Sequence, residues 1–123
     1  MPQQVTVIKQ NINSQSVVLF YFPEFLQEES ATEAVKKWQA IFNDYPNQKF
    51  TLVWDCSKMQ NYRAGARKIW QQTLVELKDQ IDRVYVISPS ATIKAGVYLM
   101  NSFTSYNFKI ISSLRDLPYV KVF

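Results

Sequence analysis

The stretch from Lys49 to Trp70, KFTLVWDCSKMQNYRAGARKIW, sets the architecture of the chain. Phe50 to Trp54 is a short apolar run of β-formers, the pattern of a strand buried on both faces. It ends on Asp55 and gives way to a polar loop, Cys56 to Tyr62. Apolar residues then return at helical spacing, at Ala66, Ile69, Trp70, Leu74 and Leu77. A strand, a loop with an acidic residue at the strand end and a helix make half of a βαβ unit. Binding in open α/β sheets takes place just outside the carboxyl ends of the strands. The loop after Asp55 is therefore the first place to look for a site.

The same alternation extends in both directions. Val5 to Lys9 and Val17 to Phe22 read as two strands joined by the polar turn NINSQ, hence a hairpin. Ser30-Ala31-Thr32-Glu33 has the form of a capping box. It opens a helix with Ala34, Val35, Trp38, Ile41, Phe42 and Tyr45 on one face, stopped by Pro46. Glu24, Glu28 and Glu29 lie ahead of it, where negative charge suits the helix dipole. The second helix runs from Arg63 to Gln80. After the link Ile81-Asp82, Arg83 to Ile87 is another apolar strand, closed by Ser88-Pro89-Ser90.

Ser90 is a good N-cap for a third helix from Ala91 to Thr104, with Ile93, Gly96, Val97, Met100 and Phe103 inward. Gly96 stands in the helix interior, where glycine costs about 1 kcal/mol against alanine, and a close approach to the sheet accounts for it. Phe108 to Ile111 is the last strand. Ser113-Leu114-Arg115-Asp116 repeats the capping pattern before a short final helix limited by Pro118. Strands near residues 5–10, 16–22, 50–55, 83–88 and 107–112 should form one sheet, the last three mutually parallel. The expectation is one α/β domain over residues 1–123.

Composition narrows the function. The 123 residues, 47% hydrophobic and 15% aromatic, suit a folded globular chain. Histidine is absent, which removes the commonest metal ligand and general base. One cysteine, Cys56, excludes an intrachain disulfide and a cysteine-rich zinc site, and fits a reducing compartment. Two glycines leave no room for a glycine-rich phosphate loop. The N-terminus lacks the pattern of a signal peptide, and no apolar run is long enough to span a membrane. A cytoplasmic protein is expected. The net charge of +4 comes from 14 basic and 10 acidic residues spread along the chain, not from the basic runs of a nucleic-acid binder.

The order of elements and the run VWDCSKM leading into a helix resemble the SpoIIAA-like fold, shared by STAS domains and the lipid-binding domain of Sec14-like proteins. The later run YVISPSATIKAGVYLMNSFTSYNFKIISSLRDL is similar to the second half of small bacterial proteins of this kind. The Asp-x-Ser of STAS domains falls on Asp55 and Ser57. The segment that carries the phosphorylated hydroxyl falls on Arg63, Ala64, Gly65 and Ala66, which hold no hydroxyl. The resemblance thus implies a mostly parallel five-stranded sheet with an N-terminal hairpin, and a non-enzymatic regulatory role without the usual phosphoacceptor.

Each chemical group has a plain structural reading beside the functional one. Asp55 could act as a base, but no second carboxylate is near it in sequence, so it is read as holding its own loop. Cys56 has no histidine to activate it and is read as a half-buried thiol. Trp38, Trp54 and Trp70 fall on core-facing positions, with lining of a ligand cavity as the second reading. Lys58, Arg63 and Arg67 crowd the start of the second helix. The parallel sheet should bring them and Ser57 close to Ser88, Ser90 and Lys94, two helix N-termini adding positive potential. An acidic protein partner or a small anion would dock there. The function expected is a non-catalytic regulatory or protein-interaction module without cofactor or metal. The alternative is a binder of a lipid or other small apolar molecule. Aromatics on the hairpin, from Phe20 to Phe25, make its edge a natural dimer surface.

Overall fold

The computed structural model describes residues 3–103 and 108–117, without the side chains of 100–103. Strands β1 (Thr6–Ile12) and β2 (Gln15–Tyr21) form the hairpin. They turn through Asn13 and Ser14, both at positive φ (51° and 65°), the twist-matched geometry of a tight hairpin. Helix α1 (Glu28–Asp44), β4 (Phe50–Asp55), α2 (Ala64–Glu76), β6 (Ile81–Ile87), α3 (Ala91–Phe103) and β7 (Phe108–Ile111) follow. Two short strands, β3 (Phe25–Leu26) and β5 (Asn61–Tyr62), pair with each other in parallel, apart from the main sheet.

The main sheet has five strands in the order β1-β2-β4-β6-β7. Its first pair is antiparallel and every later pair is parallel, as the intervening helices require. The order never reverses. Right-handed crossovers that always step the same way place their helices on the same face. The packing agrees: Ala31, Trp38, Ala66, Trp70, Ile93 and Val97 of the three helices share one core with Val18, Phe20, Leu52, Trp54, Val84 and Val86. Alternate strand residues, Val17, Leu19, Val53, Tyr85, Ile87 and Ile111, point to the other face, where Ile12, Leu114 and Leu117 join them. The Asn13 amide donates to the Leu117 carbonyl (2.9 Å), tying the hairpin tip to that second face.

Several local expectations change. Helix α1 begins at Glu28 with Gln27 as N-cap and no side-chain cap, so the Ser30–Glu33 capping box does not form. Ser30 already lies in the first turn, is buried, and donates its hydroxyl to the Gln3 carbonyl. Glu28 and Glu29 are therefore inside the helix start, not ahead of it. The second helix stops at Glu76. A 3₁₀ turn, Lys78–Gln80, leads straight into β6, which includes the expected link Ile81-Asp82. Phe20 and Phe22 are interior, whereas Tyr21 and Tyr45 are exposed.

Ser90 caps α3, its Oγ accepting from the Ile93 amide at 3.4 Å. Ser113 and Asp116 form the second expected capping box around a 3₁₀ turn, Leu114–Asp116. The inward positions Met100 and Phe103, the helix end at Thr104, the strand start at residue 107 and Pro118 lie outside what is described. Gly96 does make a close approach, but to Tyr62 of β5 and not to the sheet: a β-carbon there would collide with the Tyr62 hydroxyl and ring.

Gln80 closes the carboxyl end of α1 across 38 residues of sequence. Its side-chain amide donates toward the carbonyls of Phe42 (3.1 Å), Tyr45 (2.8 Å) and Gln48 (3.3 Å), adding to the backbone bonds that Phe42 accepts from Tyr45 and Tyr45 from Gln48. Replacing Gln80 by Ala should lower unfolding free energy by about 0.5–1.5 kcal/mol, the net worth of such a hydrogen bond, since the Phe42 and Tyr45 carbonyls keep their backbone donors. Urea denaturation at constant m-value checks this; a change within error would mean that water replaces the amide at no cost.

Candidate functional site

The carboxyl end of β4 is stitched down by its own loop. Asp55 Oδ1 accepts from the Ser57 amide (3.0 Å) and the Ser57 hydroxyl (2.6 Å). The Asp55 carbonyl accepts from the Phe22 amide (3.1 Å), and the Cys56 amide donates to the Ile87 carbonyl (2.8 Å). These bonds join the ends of β2, β4 and β6. Asp55 thus spends its carboxylate on the turn. Cys56 points into the helix-side core and is fully buried, more so than the half-burial expected. Burial, and secondarily the Asp55 charge, push its thiol far above the ordinary range, so it stays protonated and is a poor nucleophile or ligand. Among the described residues no three His, Cys, Asp or Glu side chains gather to hold a metal.

The seven residues expected to converge do so only in part. Ser57, Ser88 and Lys94 line one open cleft of about 420 Å³, completed by Ile87, Pro89, Ile110, Ile111 and Ser112. The cleft lies across the ends of β4, β6 and β7, at the start of α3. Ser88 is buried and its Oγ accepts from the Ser90 amide (3.1 Å); Ser90 caps the helix beside it. Lys58 is exposed in the Asp55 loop and is not part of the cleft lining.

Arg63 and Arg67 go elsewhere. Arg63 is the N-cap of α2 and lies over the Phe25 ring, 5.9 Å from its centre. The amino end of α2, expected to be free for an anion, meets a carboxylate of the chain itself. Gly65 has no side chain, and the Glu28 carboxylate rests where its β-carbon would stand. Helix α2 has no acidic residue in its first turn, so Glu28 of α1 supplies the negative charge that its dipole favours.

Arg67 is half-buried, and its Nε is buried without an acceptor. It lines a small cavity of about 40 Å³ between α2 and α3, beneath the β3–β5 ribbon. Phe22, Leu26, Trp54, Met59, Trp70 and Val97 give this cavity an apolar wall. The indole N–H groups of Trp38, Trp54 and Trp70 are also buried without acceptors. Trp54 and Trp70, read from the sequence as core residues with cavity lining as the second reading, both border it, whereas its roof was not legible because two-residue strands carry no period. A further trace was Gly96, whose missing side chain admits Tyr62, another residue of the cavity wall.

Comparison with known proteins places this geometry. A solved structure of an uncharacterized protein from the DUF3478 family with a SpoIIAA-like fold, from Shewanella loihica PV-4, superposes with a TM-score of 0.75. The match covers 92% of this chain and 89% of that one at 13% identity, which establishes the fold alone. The chain therefore has a SpoIIAA-like fold, as its resemblance implied. A search of curated proteins gives no match. The family model for the divergent CRAL/TRIO domain matches residues 14–121, nearly the whole chain including both sites, and the protein belongs to that family.

Proposed function

We propose that this protein is a non-catalytic regulatory module of the cytoplasm that docks an acidic partner surface at the cleft across the ends of β4, β6 and β7. The observation that carries this reading is the convergence of Ser57, Ser88 and Lys94 at the start of α3. The Ser88 hydroxyl, the Lys94 ammonium and the positive end of a helix there favour carboxylates over other groups, while the Ser57 hydroxyl is held by Asp55. A non-catalytic role is supported by the state of the reactive groups: Asp55 is spent on its turn, and Cys56 is buried and protonated. Ile8 and Tyr21, exposed on the hairpin at the sheet edge, favour a second copy as an additional partner.

Charge reversal at Lys94 tests the cleft. Sulfate should raise the melting temperature of the wild type, and the rise should fall by half or more in Lys94→Glu. Arg63→Glu should behave as wild type, because Arg63 leans on Phe25 outside the cleft. The protection should also fade as sodium chloride screens the patch. Equal protection of wild type and Lys94→Glu would remove the cleft as the docking site.

The same loop predicts the phosphorylation state. The Ser57 hydroxyl donates to Asp55 at 2.6 Å, so a phosphate on it would lose that bond and face a carboxylate. Phosphopeptide mapping of protein from its native host should find Ser57 unmodified; stoichiometric phosphate on Ser57 would overturn the reading of this pair as a brace.

A further inference from the structure

The sheet ends on β1, whose outer edge meets no other strand among the described residues. The hairpin decides which backbone groups lie along that edge. Ile12 and Gln15 close the two-residue turn, and a pair in that position is hydrogen-bonded. Pairs alternate from there, so Gln10, Ile8 and Thr6 bond to Val17, Leu19 and Tyr21 of β2. Val7, Lys9 and Asn11 therefore aim their N–H and C=O groups away from β2, and no described group meets them.

This edge is poorly guarded against pairing. β1 is seven residues long, contains no proline and runs in unbroken register with β2. Its one charged side chain, Lys9, is drawn over the Tyr45 ring, 4.6 Å from the ring centre. Ile8 is 42% exposed, on the face away from the helices that it shares with Ile12.

A second β1 offers the matching row of donors and acceptors, and a twofold axis sets outward residues against outward residues. Four centres can be compared. Pairing centred on Lys9 would put two lysines directly opposite each other. Centred on Val7, it would extend back to Gln3, whose carbonyl already accepts from Ser30. Centred on Gln10, it would run Val7 against Asn13, which is committed to the turn at positive φ. Centred on Ile8, it sets Val7 against Lys9 of the second copy and Asn11 against Val5, with no like charges opposed. The exposed Ile8 side chains then meet across the axis in the closely spaced type of pair.

We propose that two copies of this chain pair antiparallel through β1, with Ile8 opposite Ile8 on the twofold axis, joining their five-stranded sheets into one. This rests on the second-copy reading above and is independent of the docking cleft. The outward backbone row supplies the attraction, and Lys9 and Ile8 set the register.

Cross-linking of the full chain tests the register, and light scattering tests the dimer. Cysteines at a closely spaced antiparallel pair lie within reach of a disulfide, so under mild oxidation Ile8→Cys should cross-link at least about tenfold faster than Gln10→Cys, which lies off the axis on the same face. Cys56 is buried and protonated and adds no background. Val7→Pro removes an outward N–H and no hairpin bond, so it should yield a monomer with an unchanged circular dichroism spectrum. Should Val7→Pro fail to fold, Ile8→Lys serves, because it opposes two cations on the axis and should also give a monomer. A wild-type dimer in which Ile8→Cys cross-links no faster than Gln10→Cys would overturn this pairing and leave the second-copy reading standing. A wild-type monomer up to submillimolar concentration would overturn both.

Discussion

Trp70 reaches four other aromatic rings, and the helical layer is built on that contact. Its ring centre is 5.4 Å from Phe20, 5.2 Å from Phe22, 5.4 Å from Trp38 and 6.1 Å from Trp54. Those partners come from β2 and the residue beyond it, from α1 and from β4. One side chain of α2 therefore fixes the sheet face and the neighbouring helix at once. Most of the pairs are edge-to-face, the arrangement that aligns the positive ring edge with the negative face of its neighbour. Each aromatic buries on the order of 150–250 Å², so this cluster dominates the apolar burial of the helix-side core. It also holds α2 toward α1, which leaves the small cavity on the side of α3.

The monotonic strand order has a second consequence. In doubly wound sheets a ligand crevice opens where the order reverses and helices part to opposite faces. This sheet has no such reversal among the described strands. The positions beyond the strand ends are instead closed by loop bonds, from Phe22 to Asp55 and from Cys56 to Ile87, and by the β3–β5 ribbon. What remains open is a cleft toward the edge strand β7, polar at the loop from Asp55 and at Ser88, apolar at Ile110 and Ile111. A shallow site of that mixed character suits a partner surface better than an engulfed substrate.

The strands and their parallel pairing were legible in the sequence because Phe50–Asp55 and Ile81–Ile87 are continuous apolar runs separated by a helical period. Ser90 and Ser113 were legible as caps because each directly precedes its helix or turn. Ser30 misled because Ser-x-x-Glu has the same form inside a first turn as before one, and the backbone bond from Ala31 to Gln27 settles the matter. The site was harder to read. Strand ends bring Ser57 and Ser88 together through register, which the sequence implies. The pairing of Glu28 with the first turn of α2, and the burial of Arg67 Nε, depend on how helices pack, and nothing local encodes them.

A non-catalytic docking surface at the ends of β4, β6 and β7 is the central claim, and amide chemical-shift mapping with a glutamate-rich peptide tests it most directly. The account predicts perturbations confined to the amides of Ser57, Ser88, Ser90, Lys94 and Ser112, saturating together and weakening with salt. Perturbations centred on the outer face of α2, or none at any peptide concentration, would contradict it.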